Sequence, residues 1–304
     1  QQNWAEVRAA TERMSPRARG EPAWVYWQGR ALRELGQIDQ AGAAFARIAG
    51  EPQFYGQLAS EELGRRVQLP PRAAAATADE LASVTANPGL QRSLALYRLD
   101  MRIEGTREWN WTIRGMDDRT LLAAAELARR NEVWDRSIST ADRTVVVHDY
   151  ALRYPAPYAE VLIAQARAHE LEEHWVLGLV RQESRFIASA KSSAGASGLM
   201  QLMPATARWV ARKVGLRDYS WSRVTDVGVN ATLGTAYLKQ VLADVDGSPV
   251  LAAAGYNAGP GRARRWRDAR PIEGAIYAES IPFNETRDYV KKVMANTVLY
   301  SAVL

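Results

Sequence analysis

One glutamate in this chain combines an acidic side chain with an apolar helical stripe. Val176, Leu179, Val180 and Glu183 recur at i, i+3, i+4 and i+7, so a helix would turn the carboxyl of Glu183 towards the core. Burial disfavours the charged form of a carboxyl and therefore predicts a raised pKa. A carboxylic acid that is protonated near neutral pH is the general acid that breaking a glycosidic bond requires. The alternative for such a glutamate is an ion pair with Arg181 or Arg185 at the end of the helix.

A loop of small residues follows this helix within twenty residues. Positions 192–198 read SSAGASG. Such a segment lets a bulky ligand approach the backbone closely, and it offers hydroxyls and main-chain groups for hydrogen bonds. The loop favours a binding role for the neighbouring Glu183 over a surface ion pair.

Five short motifs connect these residues to a known family. They are Glu183-Ser184, GLMQ at 198–201, YNAG at 256–259, ESIPF at 279–283 and TRDYVK at 286–291. In order and rough spacing they resemble the motifs of soluble lytic transglycosylases, whose catalytic domain is similar to goose-type lysozyme. The resemblance is strongest from 154 to 304 and is weaker over the N-terminal half.

The resemblance implies a reaction on peptidoglycan with Glu183 as the single acid and base. Glu183 would protonate the glycosidic oxygen between N-acetylmuramic acid and N-acetylglucosamine, and then take the proton of the muramic 6-hydroxyl to give a 1,6-anhydro end. Hydrolysis would need a second carboxylate nearby, and the first acids after Glu183 are Asp218 and Asp226. Two alternatives stay open: a goose-type-lysozyme-like muramidase that uses water, and a non-catalytic helical-repeat adaptor that binds the cell wall.

The same resemblance indicates the other site residues. Tyr256 is expected to form a hydrogen bond at the acid, Asn257 to secure its own turn, and Tyr289 to be either a cleft residue or a packing residue. Substrate contacts are expected from nine residues: Ser192, Gly198, Met200, Gln201, Met203, Tyr256, Asn257, Glu279 and Tyr289.

The composition excludes several other kinds of chemistry. The chain has 304 residues, a net charge of +5 and no cysteine, so disulfides and thiol catalysis are excluded. His169 and His174 are five positions apart, about 140° around a helix, and so cannot form the zinc motif that their spacing suggests at first sight. We expect no cofactor and no metal. The basic charge suits an anionic polymer, but no nucleic-acid motif accompanies it.

The pattern predicts a predominantly all-α fold in three regions: 1–70, 71–153 and 154–304. The first shows a helix pair typical of a repeat superhelix, with Trp24, Trp27, Ala31 and Leu35 on one stripe. This region is expected to be the end of a longer superhelix, and the second a helical linker domain. The third is expected to be a lysozyme-like α domain with at most a small β-hairpin.

The location has to be inferred from the substrate. No window of eighteen apolar residues predicts a transmembrane helix, and the chain opens with QQNW, without Met or a leader. We therefore expect a processed protein of the bacterial periplasm. Its expected partners are peptidoglycan glycan strands and the machinery of cell-wall synthesis or secretion, with no nucleic acid.

Overall fold

The computed structural model describes residues 3–304, and helices dominate it. Within this range there are nineteen α-helices and one 3-10 helix, with β structure limited to isolated bridges. The predicted all-α fold class is confirmed. The chain divides into two compact units, one ending at Leu69 and the other running from Pro70 to Leu304.

The first unit contains five helices around an aromatic core. Their bounds are α1 Trp4–Glu12, α2 Pro16–Arg19, α3 Pro22–Glu34, α4 Ile38–Ala46 and α5 Phe54–Glu62. The rings of Tyr26, Phe45 and Tyr55 meet at its centre, with Tyr26 lying 5.8 Å from Phe45 and 5.9 Å from Tyr55. The predicted helix pair corresponds to α3 and α4.

The predicted stripe on α3 is partly wrong. Trp24 and Leu35 are exposed, whereas Val25, Tyr26 and Leu32 are buried. The buried face follows the close contact of α3 with α4, where the Cβ of any residue at Gly29 would lie 2.6 Å from the Phe45 ring. The large Phe45 ring therefore selects the face of α3 that packs inward, and the two exposed residues lie outside it.

The second unit opens with six helices that surround their own core. Their bounds are α6 Ala78–Ala86, α7 Pro88–Arg98, α8 Arg102–Thr112, α9 Asp118–Arg130, α10 Trp134–Ala141 and α11 Tyr150–Arg153. Leu90, Leu94, Trp109 and Leu121 pack in one cluster. The indole of Trp109 donates to Thr140 at 2.9 Å, so this fully buried ring has its polar atom satisfied.

The remaining helices of the second unit carry the motif residues. They are α12 Ala159–Ala168, α13 Glu173–Ser184, α14 Pro204–Lys213, α15 Val227–Asp244, α16 Pro249–Ala258, α17 Pro260–Arg265, α18 Gly274–Ser280 and α19 Asn284–Val303, with the 3-10 helix Trp221–Thr225 after α14. The sequence pattern predicts helices over 157–171, 174–183, 204–214, 229–245, 249–255, 262–266 and 286–304, which match seven of these eight α-helices to within three residues at each end. It misses α18, because Pro271 and Gly274 indicate a loop there.

Candidate active site

The helix that carries Glu183 has a fully apolar inner stripe. On α13, Val176, Leu179 and Val180 are completely buried, as their spacing predicts. The side chain of Glu172 caps the start of the helix by accepting from the backbone N–H of His174 at 3.1 Å. Glu183 is half-buried at the last turn of α13.

The helix stops directly after Glu183 in an unusual way. Arg185 and Phe186 both adopt the left-handed region, with φ of 49° and 64°. Two consecutive non-glycine residues in this region turn the chain sharply away from the helix axis. Phe186 is buried and anchors the turn, so the Glu183 carboxyl lies where the helix ends and the loop begins.

Glu183 has the environment of a protonated acid. The Tyr289 hydroxyl donates to Glu183 Oε1 at 2.6 Å. Desolvation raises the pKa of Glu183 to about 7, and the hydrogen bond from Tyr289 opposes part of that rise by favouring the carboxylate. The predicted raised pKa is confirmed, and Glu183 can both donate and accept a proton near neutral pH.

The tyrosine that meets the acid is not the expected one. Tyr256 was predicted to form the hydrogen bond at Glu183, but its hydroxyl donates to the backbone oxygen of Met200 at 2.8 Å. Tyr289 takes the predicted role because α19, and not α16, packs along α13. Tyr256 still lies close enough for the charge of Glu183 to contribute to its raised pKa, behind the larger effect of burial.

The loop between α13 and α14 is shaped by its own backbone. Ser192 and Ala196 close a turn, with N–H to O and N–H to Oγ bonds of 2.9 and 3.0 Å. Isolated bridges join Ser197 to Lys191 and to Leu202. Gln201 adopts φ of 47°, and its amide donates to Ala190 O at 3.1 Å. This loop replaces the small hairpin that the sequence allowed.

The loop residues predicted to bind substrate divide into two groups. Ser192 and Met203 are exposed and Gln201 is half-buried, so these three are accessible to a ligand. Gly198 and Met200 belong to the same loop but are buried. At Gly198, φ is +85° and a Cβ would lie 2.6 Å from Asn230 Cγ, so packing inside the protein excludes a side chain there. Its expected position beside a sugar is therefore corrected to one against Asn230.

The Met200 side chain likewise packs in the protein interior. Its side chain fills the space above Gly234, where a Cβ would come within 2.7 Å of the Met200 Cβ. The Met200 side chain is fully buried, so its predicted contact with substrate is corrected to a packing role. Its backbone carbonyl still joins the loop to Tyr256.

The sequence prediction missed Asn230, which organises the loop from below. The side chain is completely buried on α15. Its Oδ1 accepts from Met200 N–H at 2.7 Å, and its Nδ2 donates to Ser197 O at 3.2 Å and to Val224 O at 2.7 Å. An asparagine at a core position of an apolar helix is the signal that could have identified it, because a buried carboxamide needs hydrogen-bond partners.

Asn257 and Glu279 each have a partner on α19. Asn257 is exposed, and its Oδ1 accepts from the Thr286 hydroxyl at 2.7 Å. It therefore ties α16 to α19 and does not secure its own turn as expected. Glu279 forms an ion pair with Lys291 at 2.7 Å.

Within residues 3–304, no second carboxylate is among the groups that shift the pKa of Glu183. The pKa of Glu183 is set by desolvation and by Tyr289 alone. Asp226 caps α15 by accepting from Val229 N–H at 2.9 Å, and Asp218 pairs with Arg223. The two acids that follow Glu183 in the sequence are thus engaged elsewhere.

The described part of the chain contains no group of three or more histidine, cysteine or acidic side chains arranged to hold a metal ion. His174 Nδ1 lies 2.6 Å from the Glu172 carboxylate at the start of α13. None of the helices between residues 3 and 304 has the length and apolar character needed to cross a membrane.

Three family models match the second unit. Residues 160–277 match the transglycosylase SLT domain, which contains Glu183 and Tyr256. Residues 83–145 match the soluble lytic murein transglycosylase L domain, and residues 280–304 match the soluble lytic transglycosylase helical domain. The resemblance to soluble lytic transglycosylases that the motifs indicated is therefore confirmed.

Curated and solved relatives agree with this family. The chain is 29% identical to the soluble lytic murein transglycosylase of Escherichia coli K12 over 95% of its own length and 45% of that protein. The fold is similar to an inactive mutant of lytic transglycosylase Slt from Pseudomonas aeruginosa, with a TM-score of 0.89 and 34% identity over 98% of this chain and 49% of that one. The 70 kDa soluble lytic transglycosylase of Escherichia coli gives a TM-score of 0.87 at 28% identity, over 99% of this chain and 49% of that one. The chain thus spans about half the length of these relatives.

Proposed function

We propose that this chain cleaves peptidoglycan glycan strands as a lytic transglycosylase, with Glu183 as both acid and base. The observation that carries the proposal is the Glu183 carboxyl, whose pKa burial raises to about 7 while Tyr289 holds its Oε1 at 2.6 Å. A group with a pKa near the working pH transfers protons efficiently in both directions. A reaction that first donates and then recovers a proton needs such a group.

The proposed reaction transfers no water. Protonated Glu183 donates to the oxygen between N-acetylmuramic acid and N-acetylglucosamine, and the bond to the muramic C1 breaks with the electron pair on that oxygen. The 2-acetamido group stabilises the positive centre at C1. The Glu183 carboxylate then removes the proton of the muramic 6-hydroxyl, whose oxygen attacks C1 and closes a 1,6-anhydro ring. Glu183 ends protonated, as it began.

The surroundings of Glu183 support transglycosylation over hydrolysis. Retaining and inverting hydrolases both use a second carboxyl near the reacting carbon, and Asp218, Asp226 and Glu279 each have another partner or role. The 6-hydroxyl belongs to the substrate and is held at high effective concentration, whereas water would need a base to activate it. Relatives named as lytic transglycosylases support the same choice, and one structural neighbour is an inactive mutant in which glutamine replaces a glutamate.

We assign the accessible side chains of Ser192, Gln201, Met203 and Asn257 to the walls of the sugar-binding cleft. Glu279 is placed at its edge as a substrate contact, held by Lys291. Regions 1–70, 71–153 and 154–304 are assigned as superhelix end, linker and catalytic domain. A cell-wall substrate places the protein in the periplasm, where the machinery of cell-wall synthesis or secretion would be its partner.

The proposal is tested by the products of peptidoglycan digestion. Purified sacculi are incubated with the chain, and the released muropeptides are analysed by mass spectrometry without prior reduction. We expect products that are one water lighter than those of a lysozyme control and that lack a reducing muramic end. Glu279→Gln should release the same products more slowly, because Glu279 contacts substrate and does not activate water.

Other outcomes would replace the proposal by a different function. Products with a reducing muramic end would identify a muramidase. Binding to sacculi without release of muropeptides, equal in wild type and Glu183→Gln, would identify a non-catalytic adaptor.

A further inference from the structure

Helices α13 and α19 run antiparallel and meet at two points. At one, Tyr289 of α19 donates to Glu183 of α13. At the other, Asn296 Nδ2 donates to the backbone oxygen of Gly178 at 3.2 Å. Tyr289 and Asn296 are seven residues apart, close to two helical turns, so they share one face of α19. A shift of one helix along the other would disturb both points together.

The Asn296 carboxamide is buried, and each of its two polar atoms has a hydrogen-bond partner on α13. The residue is 4% exposed, and while Nδ2 binds Gly178, Oδ1 accepts from Arg181 Nη1 at 3.2 Å. One side chain of α19 therefore forms hydrogen bonds with two groups on α13. A buried amide that loses such partners is costly, which makes this arrangement specific.

Arg181 is itself fixed by contacts outside α19. Its Nε donates to Arg153 O at 3.0 Å, and its guanidinium lies 4.2 Å from the centre of the Tyr154 ring. It also reaches Asp142 at 3.3 Å. Arg181 is therefore held by partners on both sides of its hydrogen bond to Asn296. If α19 slid along α13, Arg181 could keep that hydrogen bond only by losing these other partners.

The close contact at Gly178 is possible in only one alignment of α13 along α19. A Cβ at this residue would lie 2.9 Å from Thr297 N, so the backbones touch where only glycine fits. The neighbours along α13 are Leu177 and Leu179, both fully buried. A slip by one residue would bring a leucine to the contact, and the close approach would be lost.

We propose that Asn296 is a positioning residue, which fixes the register of α13 against α19 and so aims the Tyr289 hydroxyl at Glu183. Asn296 acts through Tyr289 and Gly178 and touches neither substrate nor the reacting atoms. The inference rests on the proposed function of Glu183 as the acid. It also explains why a glycine is present in the middle of an apolar helix, where it lowers intrinsic helix stability.

A shift of α13 against α19 should change the pH dependence of the rate, whereas a loss of stability alone should not. The tyrosines that face Glu183 are Tyr289 of α19 and Tyr256 of α16. Tyr289 favours the carboxylate of Glu183, so its departure raises the pKa of Glu183 further. The protonated acid then persists to higher pH, and the alkaline limb of the rate profile moves upward, while misplacement of the carboxyl lowers the rate itself.

The test compares Asn296→Leu and Asn296→Asp with Tyr289→Phe in the full chain. For both Asn296 variants we expect kcat to fall about ten- to hundredfold, the scale of a misplaced catalytic group, with KM changed less than about twofold. The midpoint of the alkaline limb should rise in all three variants. Because Asn296 and Tyr289 act on the same carboxyl, the rate loss of the double variant Asn296→Leu with Tyr289→Phe should be smaller than the product of the two single losses.

Tyr300→Phe is the matched control on the same helix. Its hydroxyl donates to Pro155 O at 2.8 Å in the core, so the variant loses one buried hydrogen bond to a residue outside α13, while its ring keeps the edge contact with Tyr154. We expect it to lower the melting temperature and to leave kcat and the alkaline limb unchanged. Asn296 variants that behave like Tyr300→Phe, less stable but with the wild-type kcat and profile, would overturn the proposal.

A second readout does not depend on turnover. The Glu183 carboxyl is titrated by carbon NMR in labelled protein and assigned by its absence in Glu183→Gln. Its pKa should rise in the Asn296 variants, and an unchanged value would refute the proposal even if the wild type cleaved no glycan. If both Asn296 variants fail to fold, Gly178→Ala decides: its methyl would lie 2.9 Å from Thr297 N and 3.3 Å from Asn296 C, so it should shift α19 against α13 with the Asn296 side chain intact. The pKa of Glu183 should then rise, and an unchanged value would refute the proposal.

Discussion

The two walls around Glu183 are built by different means. On one side, α13 and α19 present side chains from regular helices: the carboxyl of Glu183 and the hydroxyl of Tyr289, set in an apolar stripe. On the other side, residues 192–203 form an irregular loop whose shape depends on left-handed backbone at Gly195, Gly198 and Gln201. The helical wall is held by side-chain packing, and the loop is held from below by the hydrogen bonds of Asn230.

This difference separates two physical tasks. Burial in the helical wall changes the acidity of a carboxyl, which requires apolar neighbours and little else. In the proposed function, the loop offers backbone groups and small side chains to a sugar, which requires backbone conformations that most residues avoid. A substitution in the helical wall should therefore change the acidity of Glu183 and the rate of reaction. A substitution in the loop should change the conformation of the loop.

The largest effect is expected at the acid. Glu183→Gln keeps the shape and can still accept from Tyr289, but it cannot donate a proton, so turnover should fall about 10²- to 10⁴-fold. The rate of muropeptide release measures this. Glu173→Gln is the matched control, because the same change on the same helix removes an exposed ion pair with Arg167 and should leave the rate unchanged. Near-normal activity of Glu183→Gln would remove Glu183 from the mechanism.

The second prediction compares two glycines in the loop wall. Gly198→Ala places a methyl against Asn230 at a φ of +85°, and it should lower the free energy of unfolding by about 4 kcal/mol through overpacking and backbone strain. Gly195→Ala has a φ of +93° with nothing within 4 Å, so strain alone should cost about 1 kcal/mol. Urea denaturation measures both. Equal losses would mean that packing against Asn230 contributes nothing.

The smallest effect concerns the stability of the helical wall as a function of pH. The Glu183 pKa is about 7 in the folded state against 4.5 for the free group, so the folded state keeps a proton that the unfolded state has already lost. Wild type should therefore lose stability relative to Glu183→Gln as pH rises, by about 2.5 kcal/mol between pH 5 and pH 8. Urea denaturation of both proteins at the two pH values measures it. A constant difference would show that Glu183 is not desolvated.

The sequence predicts the helical wall better than the loop. The stripe of Val176, Leu179 and Val180 is enough to predict that the Glu183 carboxyl turns towards the core and has a raised pKa, because the first follows from helical periodicity and the second from desolvation. It cannot predict which tyrosine meets the acid. That choice depends on which of α16 and α19 packs along α13, and hence on close contacts such as that of Gly178 with Thr297.

The sequence shows that the residues of the loop are small, but it does not show what makes small residues necessary there. Gly198 was expected to be small because of a ligand, whereas the structure gives Asn230 as the cause, from a helix some thirty residues away. Met200 looks like a binding residue in a motif, yet it fills space above Gly234. Local composition describes the loop itself, and it carries no information on the helix beneath it.

The hydrogen bond between Tyr289 and Glu183 joins residues 106 positions apart, and the contact between Asn296 and Gly178 joins residues 118 positions apart. Closing so long a loop is entropically unfavourable and slow compared with forming a single helix. A nascent chain that has formed α13 but not yet α19 would therefore carry an ordinary, solvated carboxylate at Glu183. The acidity on which the proposed chemistry depends therefore requires a contact between distant parts of the chain, so a polypeptide that lacks α19 would hold Glu183 without its reactivity.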